Sequence, residues 1–548
     1  MNNHSSIYCT SLNQRHNAGL TVIAIIAAIG FMTSSVTAQI TTYPWPSDAG
    51  ISDTYRVFIR LGGAPEQEVQ VLISHASSKG DYRAKELEGR TFSFVPLSYG
   101  PSAGALMIRA VKLFGDGASS VSVHPRSYGI TTTSASDGRE AVFTVSAASR
   151  YFSVHFDGAD NRTPADRWIK HMLCIFIDPL ETDIPDRTAA GVVVYAPDIS
   201  SDVLKAARTI YFPPGLHNLR NYGRGGIIND DGQLMLQEGQ ALYLAGGAFV
   251  EGIIGNAAER QPGQRVYGRG VLSGRRYLWK DNPDHRGPEY GQILKIGNKG
   301  RVEGITVCDS PHHGIVGGTT SIANLKFFGW HCNNDGIRVG KGSTVFNSFI
   351  RAVDDHFYNF NIHVSNVVLW AGHNGAILTY GWGGAATYNA GASLLEDIDI
   401  IHPEWTQLGN NNGLVASQVN LDYRPYGYGG RTTTVLKNIR IEGTVPGLLN
   451  LKPLTKAGGE LNANPVAADK VGYLGDLRIE NVTVDAQKGK SRIRGAANAS
   501  RDGSKTFYIQ NISCSNLRIG TTSITAETSV AFFDIETGTV KDIIFSER

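Results

Sequence analysis

The side chains best equipped to move protons in this 548-residue chain sit in three short stretches: Asn333-Asn334-Asp335, Val353-Asp354-Asp355-His356 and Gly372-His373-Asn374-Gly375. Asp335, Asp354 and His373 follow one another at intervals of 19 residues. In a chain that winds with about that many residues per turn, this spacing would return each of them to one place on successive turns. Carboxylates on neighbouring strands, about 4.8 Å apart, cannot all ionise freely, so at least one is expected to keep its proton near neutral pH. A protonated carboxyl beside an ionised one is what cleavage of a glycosidic bond requires. The first protonates the leaving oxygen, and the second either attacks the anomeric carbon or activates a water.

Asp335, Asp354 and Asp355 are therefore the candidate catalytic residues. Adjacent strand residues point to opposite faces, so Asp354 and Asp355 can share a cleft only if the backbone bends between them; a bend is expected at a strand end, and without it one of the pair is structural. His373 is expected to support the carboxylates, by placing substrate or by tuning an aspartate. Sugars present apolar C–H faces and many hydroxyls, which suit aromatic rings mixed with polar groups. Trp330, Tyr380, Trp382, Tyr423 and Tyr426, with Asn334 and Lys452, complete the candidate substrate-binding set with His373. Four of the seven tryptophans fall between Trp330 and Trp405, and the stretch from Asp422 to Arg431 reads as an aromatic loop at the rim of a groove. No His/Cys cluster has zinc-ligand spacing, and no metal or cofactor is expected.

A repeat supplies the elements that must hold these residues. An apolar residue at positions 1, 4 and 6 and Gly, Asn, Asp or Ser at position 3 recur from Val302, Ile322, Val364, Leu395, Leu436, Leu474, Ile509 and Val540, with a looser copy from Val345. The small polar residue suits a turn that needs left-handed geometry, and the apolar positions form an interior column that only stacked turns can bury. The starts at 302, 322, 345 and 364 advance by 20 to 23 and then 19 residues, and later ones by 31 to 41, which fits a parallel β-helix whose later coils carry inserted loops.

Composition agrees. Sixty-three glycines and few methionines, amid many β-branched residues, favour strands and turns, and the formal charge of +2 gives no reason to expect a nucleic-acid partner. The apolar run from Ala18 to Met32, after Arg15 and before Val36-Thr37-Ala38, reads as a secretory signal peptide over residues 1–38. Residues 39–185 alternate in short stretches such as Thr54–Leu61 and Tyr151–Phe156, the pattern of an antiparallel β-sandwich. Residues 186–548 are assigned to the β-helix. The expected class is all-β: an N-terminal antiparallel β-sandwich followed by a right-handed parallel β-helix, secreted, monomeric and not held at a membrane after cleavage. Cys308 and Cys332 lie about one coil apart and are either a disulfide or free buried thiols.

The motif series on a β-helix resembles the glycosidase clan of polygalacturonases, whose motifs read Asn-Thr-Asp, Asp-Asp and Gly-His-Gly; Asp309-Ser310-Pro311 resembles their Asn-Ser-Pro. The runs from Trp330 to Gly336 and from Val353 to Phe357, behind a β-sandwich, look closest to glycoside hydrolase family 49, the dextranase and isopullulanase group. That resemblance implies hydrolysis with inversion, Asp354 as general acid, and Asp335 and Asp355 as candidates for activating the water. An inverting pair is separated by roughly 6.5–9.5 Å. Polygalacturonases follow the His with Arg-Ile-Lys to grip a uronate, whereas this chain continues Ala376-Ile377-Leu378-Thr379. A neutral α-glucan is therefore expected, with dextran and its α-1,6 bonds first, pullulan, cut at α-1,4 bonds, second, and another polysaccharide left open because Arg424, Arg431 and Lys452 could meet anionic groups. The rivals are a calcium-dependent polysaccharide lyase and a non-catalytic glycan-binding solenoid.

Overall fold

The computed structural model describes residues 40–100, 104–256, 261–285, 291–383, 391–409, 411–455 and 461–547, so the expected leader lies outside the described residues. None of the described helices is long and apolar enough to cross a membrane.

Two sheets built from residues 40–178 face each other across a shared core. Val57, Ile59 and Ile108 come from one sheet, and Val95, Phe152 and Ile175 from the other. The pairing is antiparallel except where Thr91–Tyr99 runs parallel to His171–Asp178, so the sheet is mixed rather than wholly antiparallel. Thr91–Tyr99 is buried at every position because its second face is also covered. This explains why it reads as a nearly continuous apolar run instead of alternating.

From Val192 onward the chain coils. A long sheet of 19 strands and a second of 11 run side by side, and each coil contributes to both, the elongated hydrophobic interior lying between them. Val302, Ile322, Val345, Val364, Leu395 and Leu436 stand in direct register, forming the interior column. At position 3 of the repeat, Gly304, Asn324, Asn347, Asn366, Asp397, Asn438, Asp476, Asn511 and Asp542 all have φ between +48° and +77°. Asn and Asp tolerate this region because their short polar side chains bond locally. The side chains also bond from coil to coil: Asn366 Nδ2 donates to Asn347 Oδ1 at 2.6 Å and Asn438 Nδ2 to Asp397 Oδ1 at 2.9 Å.

Past Leu436 the register departs from the sequence reading. Leu436 pairs with Ile479, not Leu474, while Leu474 pairs with Ile509. The strand Tyr473–Gln487 carries the motif twice, five residues apart, and Asn481 rather than Asp476 continues the ladder, donating to Asn438 at 3.1 Å. At the other end, the helix Ser201–Ala206 lies against the first coils, where Gln240 Nε2 donates to the carbonyls of Leu204 and Ala207.

Sandwich and β-helix meet in a third core. Trp45, Phe92, Phe94 and Phe176 interleave with Phe328, Trp330, Phe349 and Trp370, and Phe92 stacks on Phe328 with centroids 4.1 Å apart. Within this seam Glu404 accepts from Arg90, from Arg351 and, at 2.9 Å, from Trp370 Nε1. Burial pushes the Glu404 carboxyl up, but the two guanidiniums outweigh it and hold the pKa at about 2.

Candidate active site

The carboxylates stand where the chain turns from the long sheet into the 11-stranded one. The strand Thr344–Ala352 ends, the backbone bends at Val353 and Asp354, and Phe357–Tyr358 begins the next strand. The bend expected from sequence is present, and it brings Asp354 and Asp355 to one pocket. That pocket has a volume of about 350 Å³ and is lined also by Asp335, His313, Asn333, Arg338 and Tyr358.

Each aspartate is held by its own donors. Asp354 Oδ2 accepts from Asn333 N at 2.9 Å and Asn374 Nδ2 at 2.7 Å, and its Oδ1 from Asp355 N at 3.0 Å. Asp355 Oδ1 accepts from Ala376 N and Asn411 Nδ2, both at 2.9 Å. Asp335 accepts the Tyr358 hydroxyl proton on Oδ2, and His313 Nε2 stands 3.8 Å from its Oδ1. Burial holds the Asp354 carboxyl well above the usual carboxylate range, and the neighbouring Asp335 charge raises it further. Asp335 is raised less: burial dominates, opposed by the Tyr358 hydrogen bond and the Arg338 charge. A proton shared within this pair is thus retained to higher pH than on a free aspartic acid.

The even 19-residue spacing is not the register of the site. Gly336 N bonds Asp355 O and Asn374 N bonds Val353 O, so Asp335 has Asp355 as its neighbour on the next coil, and His373 is in step with Val353. His373 therefore faces away from the carboxylates. Its ring stacks on Trp168 of the sandwich at 5.1 Å and meets the edge of Tyr82 at 5.5 Å, and burial pushes its pKa down to about 3. The residue that follows it, Asn374, reaches Asp354 instead.

Several other candidates also prove structural. Asn334 is fully buried and clamps the turn, accepting from the Trp330 and His331 amides and donating to the Ser310 and His312 carbonyls. Trp330 lies in the seam, donating Nε1–H to Ser74 at 2.8 Å. Tyr380 and Tyr423 are buried in the β-helix interior, 6.1 Å apart, and present no face to a sugar. Tyr426 is exposed on its loop and is not among the residues lining the carboxylate pocket. The side chain of Trp382 lies outside what is described. Lys452 lines a second pocket farther along the 11-stranded sheet.

Sequence reasoning missed His313, Arg338 and Tyr358 as members of the site. Arg338 and Tyr358 each follow an aligned aspartate, Asp335 or Asp355, by three residues. Asp335 aligned with Asp355 rather than Asp354 would have carried that signal. The guanidinium of Arg338 lies 5.0 Å from the Tyr358 ring centroid, bracing both side chains. Among the described residues two groups could gather around a cation, Asp81–Cys332–His373 and His124–His155–His402, with ligand atoms within 4.8 Å of one another. Asp81 already accepts from His331 and from the Arg83 amide. All four described cysteines are free, which settles Cys308 and Cys332 as thiols.

The site is therefore a bent Asp-Asp corner on a parallel β-helix, with a third aspartate on the preceding coil. No protein-family model matches the chain. It is 26% identical over 275 residues to a dextranase of Arthrobacter globiformis, covering 45% of this chain and 41% of that one. It is 24% identical over 343 residues to isopullulanase of Aspergillus niger, covering 55% of this chain and 58% of that one. The matched regions thus span less than two thirds of these relatives' lengths. Among solved structures, Dex49A from Penicillium minioluteum superposes with a TM-score of 0.68 at 19% identity, over 92% of this chain and 96% of that one. The chain is thus similar in sequence, over about half its length, to dextranases and an isopullulanase, and it shares the fold of Dex49A.

Proposed function

We propose that this protein is a secreted inverting glycoside hydrolase that cuts α-1,6 bonds within dextran. The observation that carries the proposal is the pocket into which Asp335, Asp354 and Asp355 all open, where burial raises the proton affinity of Asp354 and Asp335. In this reading Asp354, the more strongly raised carboxyl, donates its proton to the glycosidic oxygen as the bond to the anomeric carbon breaks. Asp355 or Asp335, as carboxylate, takes a proton from the water that attacks the opposite face of the sugar. The amides that converge on Asp354 steady the negative charge it gains on giving up the proton. Tyr358 and Arg338 hold Asp335 in place.

The dextranase relatives support an α-1,6 glucan substrate. Secretion follows from the size of such a polymer, which cannot reach an enzyme inside the cell, and from the leader read in residues 1–38. The isopullulanase relative keeps pullulan as the second substrate. Incubation with dextran, pullulan and polygalacturonate, following product length and anomeric configuration by NMR, tests the whole proposal. Dextran oligomers released first as the β-anomer are expected. Release of the α-anomer overturns inversion, and unsaturated products formed only with calcium overturn hydrolysis in favour of a lyase.

A further inference from the structure

The 11-stranded sheet carries a second pocket beyond the carboxylates. Residue partners run strand by strand from Tyr358 through Thr379, Ala416 and Asn450 to Arg492, and the pairing of Ile337 with Phe357 sets Arg338 of the carboxylate pocket at the head of the same row. The row beside it carries Gln418 and Lys452, joined through the Val419–Pro453 bridge. Four strand steps separate Tyr358 from Arg492, which at the spacing of neighbouring strands is roughly 19 Å. There Lys452, Arg492 and Arg494 line a pocket of about 700 Å³.

The charges of this pocket are unbalanced. Arg494 pairs with Asp534 at 2.5 Å, and Glu536, the acidic residue of the lining, accepts from Thr539. Lys452 is only 5% exposed, yet among the described residues its ammonium has no hydrogen bond or ion pair, and neither has the guanidinium of Arg492. Burial pushes the Lys452 ammonium down to about 8, and the Arg492 charge acts in the same direction. Two neighbouring cations with no carboxylate bonded to either are unfavourable, and an anion bound between them relieves both desolvation and repulsion. A neutral hydroxyl can accept a hydrogen bond from either group but leaves their mutual repulsion in place.

The geometry points to a distal subsite in which Lys452 and Arg492 bind an anionic substituent, a carboxylate, sulfate or phosphate ester, carried by the glycan several sugars from the bond that is cut. This rests on the glucan-hydrolase reading for which polymer fills the groove. It narrows the substrate from a plain neutral glucan to one that tolerates or prefers acidic decoration.

The test compares dextran with carboxymethyl dextran in the wild type and in the Lys452→Met/Arg492→Met double variant. The ratio of kcat/KM for the charged polymer to that for the neutral one is expected to fall roughly tenfold or more in the variant, through KM, and to fall in the wild type as salt is added. Arg492→Lys is expected to keep most of the ratio, which a merely structural role would not predict. An unchanged ratio, or equal losses on both polymers, overturns the proposal while leaving the hydrolase reading intact. If the wild type cuts neither polymer, the hydrolase reading falls, and the subsite is then judged by calorimetric titration with dextran sulfate at low ionic strength. Binding lost in the double variant upholds it, and equal binding overturns it.

Discussion

Asp354→Asn separates the proton donor from everything else the side chain does. The carboxylate takes three N–H donors, from Asn333, Asn374 and Asp355. A carboxamide has one oxygen, so its best orientation keeps the Asn333 and Asn374 bonds and leaves the Asp355 amide facing an NH₂ group. Losing that one bond at a buried site costs about 1–3 kcal/mol, so the fold should survive. Loss of a general acid, by contrast, lowers turnover of dextran by roughly 10²–10⁴-fold.

Reducing-end release from dextran measures the first effect. An isomaltosyl aryl glycoside whose phenol departs without protonation supplies the control, and on it the loss should shrink to a small factor. Equal loss on both substrates, or less than about a tenfold loss on dextran, refutes the role of Asp354. Stability provides an independent reading. The folded state binds the Asp354 proton more tightly than the unfolded chain does, so the stability this group contributes is full at low pH and drains away as pH rises from the ordinary carboxylate range through the raised value. The drain amounts to about 1.4 kcal/mol for each tenfold difference in proton affinity. The variant has no such proton to lose, so its deficit in unfolding temperature should narrow at alkaline pH, and a deficit that widens there contradicts the burial argument.

Glu404→Ala strands Arg90 and Arg351 in the seam, and calorimetry should show a loss of about 3–5 kcal/mol. Because the folded-state pKa of Glu404 is depressed to about 2, its contribution is present above the ordinary carboxylate range and lost only as pH falls toward that value. Asn366→Ala keeps a β-carbon at φ near +51° but removes the polar side chain that makes this region tolerable and breaks the bond to Asn347, costing about 1–3 kcal/mol, whereas Asn366→Gly should recover most of the backbone part. Trp330→Phe removes the bond to Ser74 and should lower the unfolding temperature without raising KM for dextran; a raised KM would put this ring in the groove.

The repeat was legible because one backbone demand, a left-handed residue at position 3, leaves a trace in residue type, and every copy from Gly304 to Asp542 meets it. The five-residue slip at Ile479 was not, since the strand Tyr473–Gln487 satisfies the same pattern in two frames and only contact with its neighbours chooses between them. The aspartates stood out by chemistry, but counting equal intervals chose His373 where the coils advance by 20 and 21 residues from Ile337 to Phe357 and Leu378. The aromatic residues misled for a different reason. Phe328, Trp330, Phe349 and Trp370 point out of the solenoid, as groove residues would, and a sheet formed more than 150 residues earlier covers them. Tyr380 and Tyr423 point inward. Identity as tyrosine or tryptophan carries no information about facing, which for these rings is fixed by partners far along the chain.

The Asn and Asp ladder gives this architecture a unit of evolutionary change. Past Asn347 the rungs bond from coil to coil, as from Asn347 to Asn366 or from Asp397 to Asn438, so a coil gained or lost between the aspartates and Lys452 could be joined at both ends by the same kind of bond. The distance from the cleaved bond to the cationic pocket then changes in whole steps of about 4.8 Å.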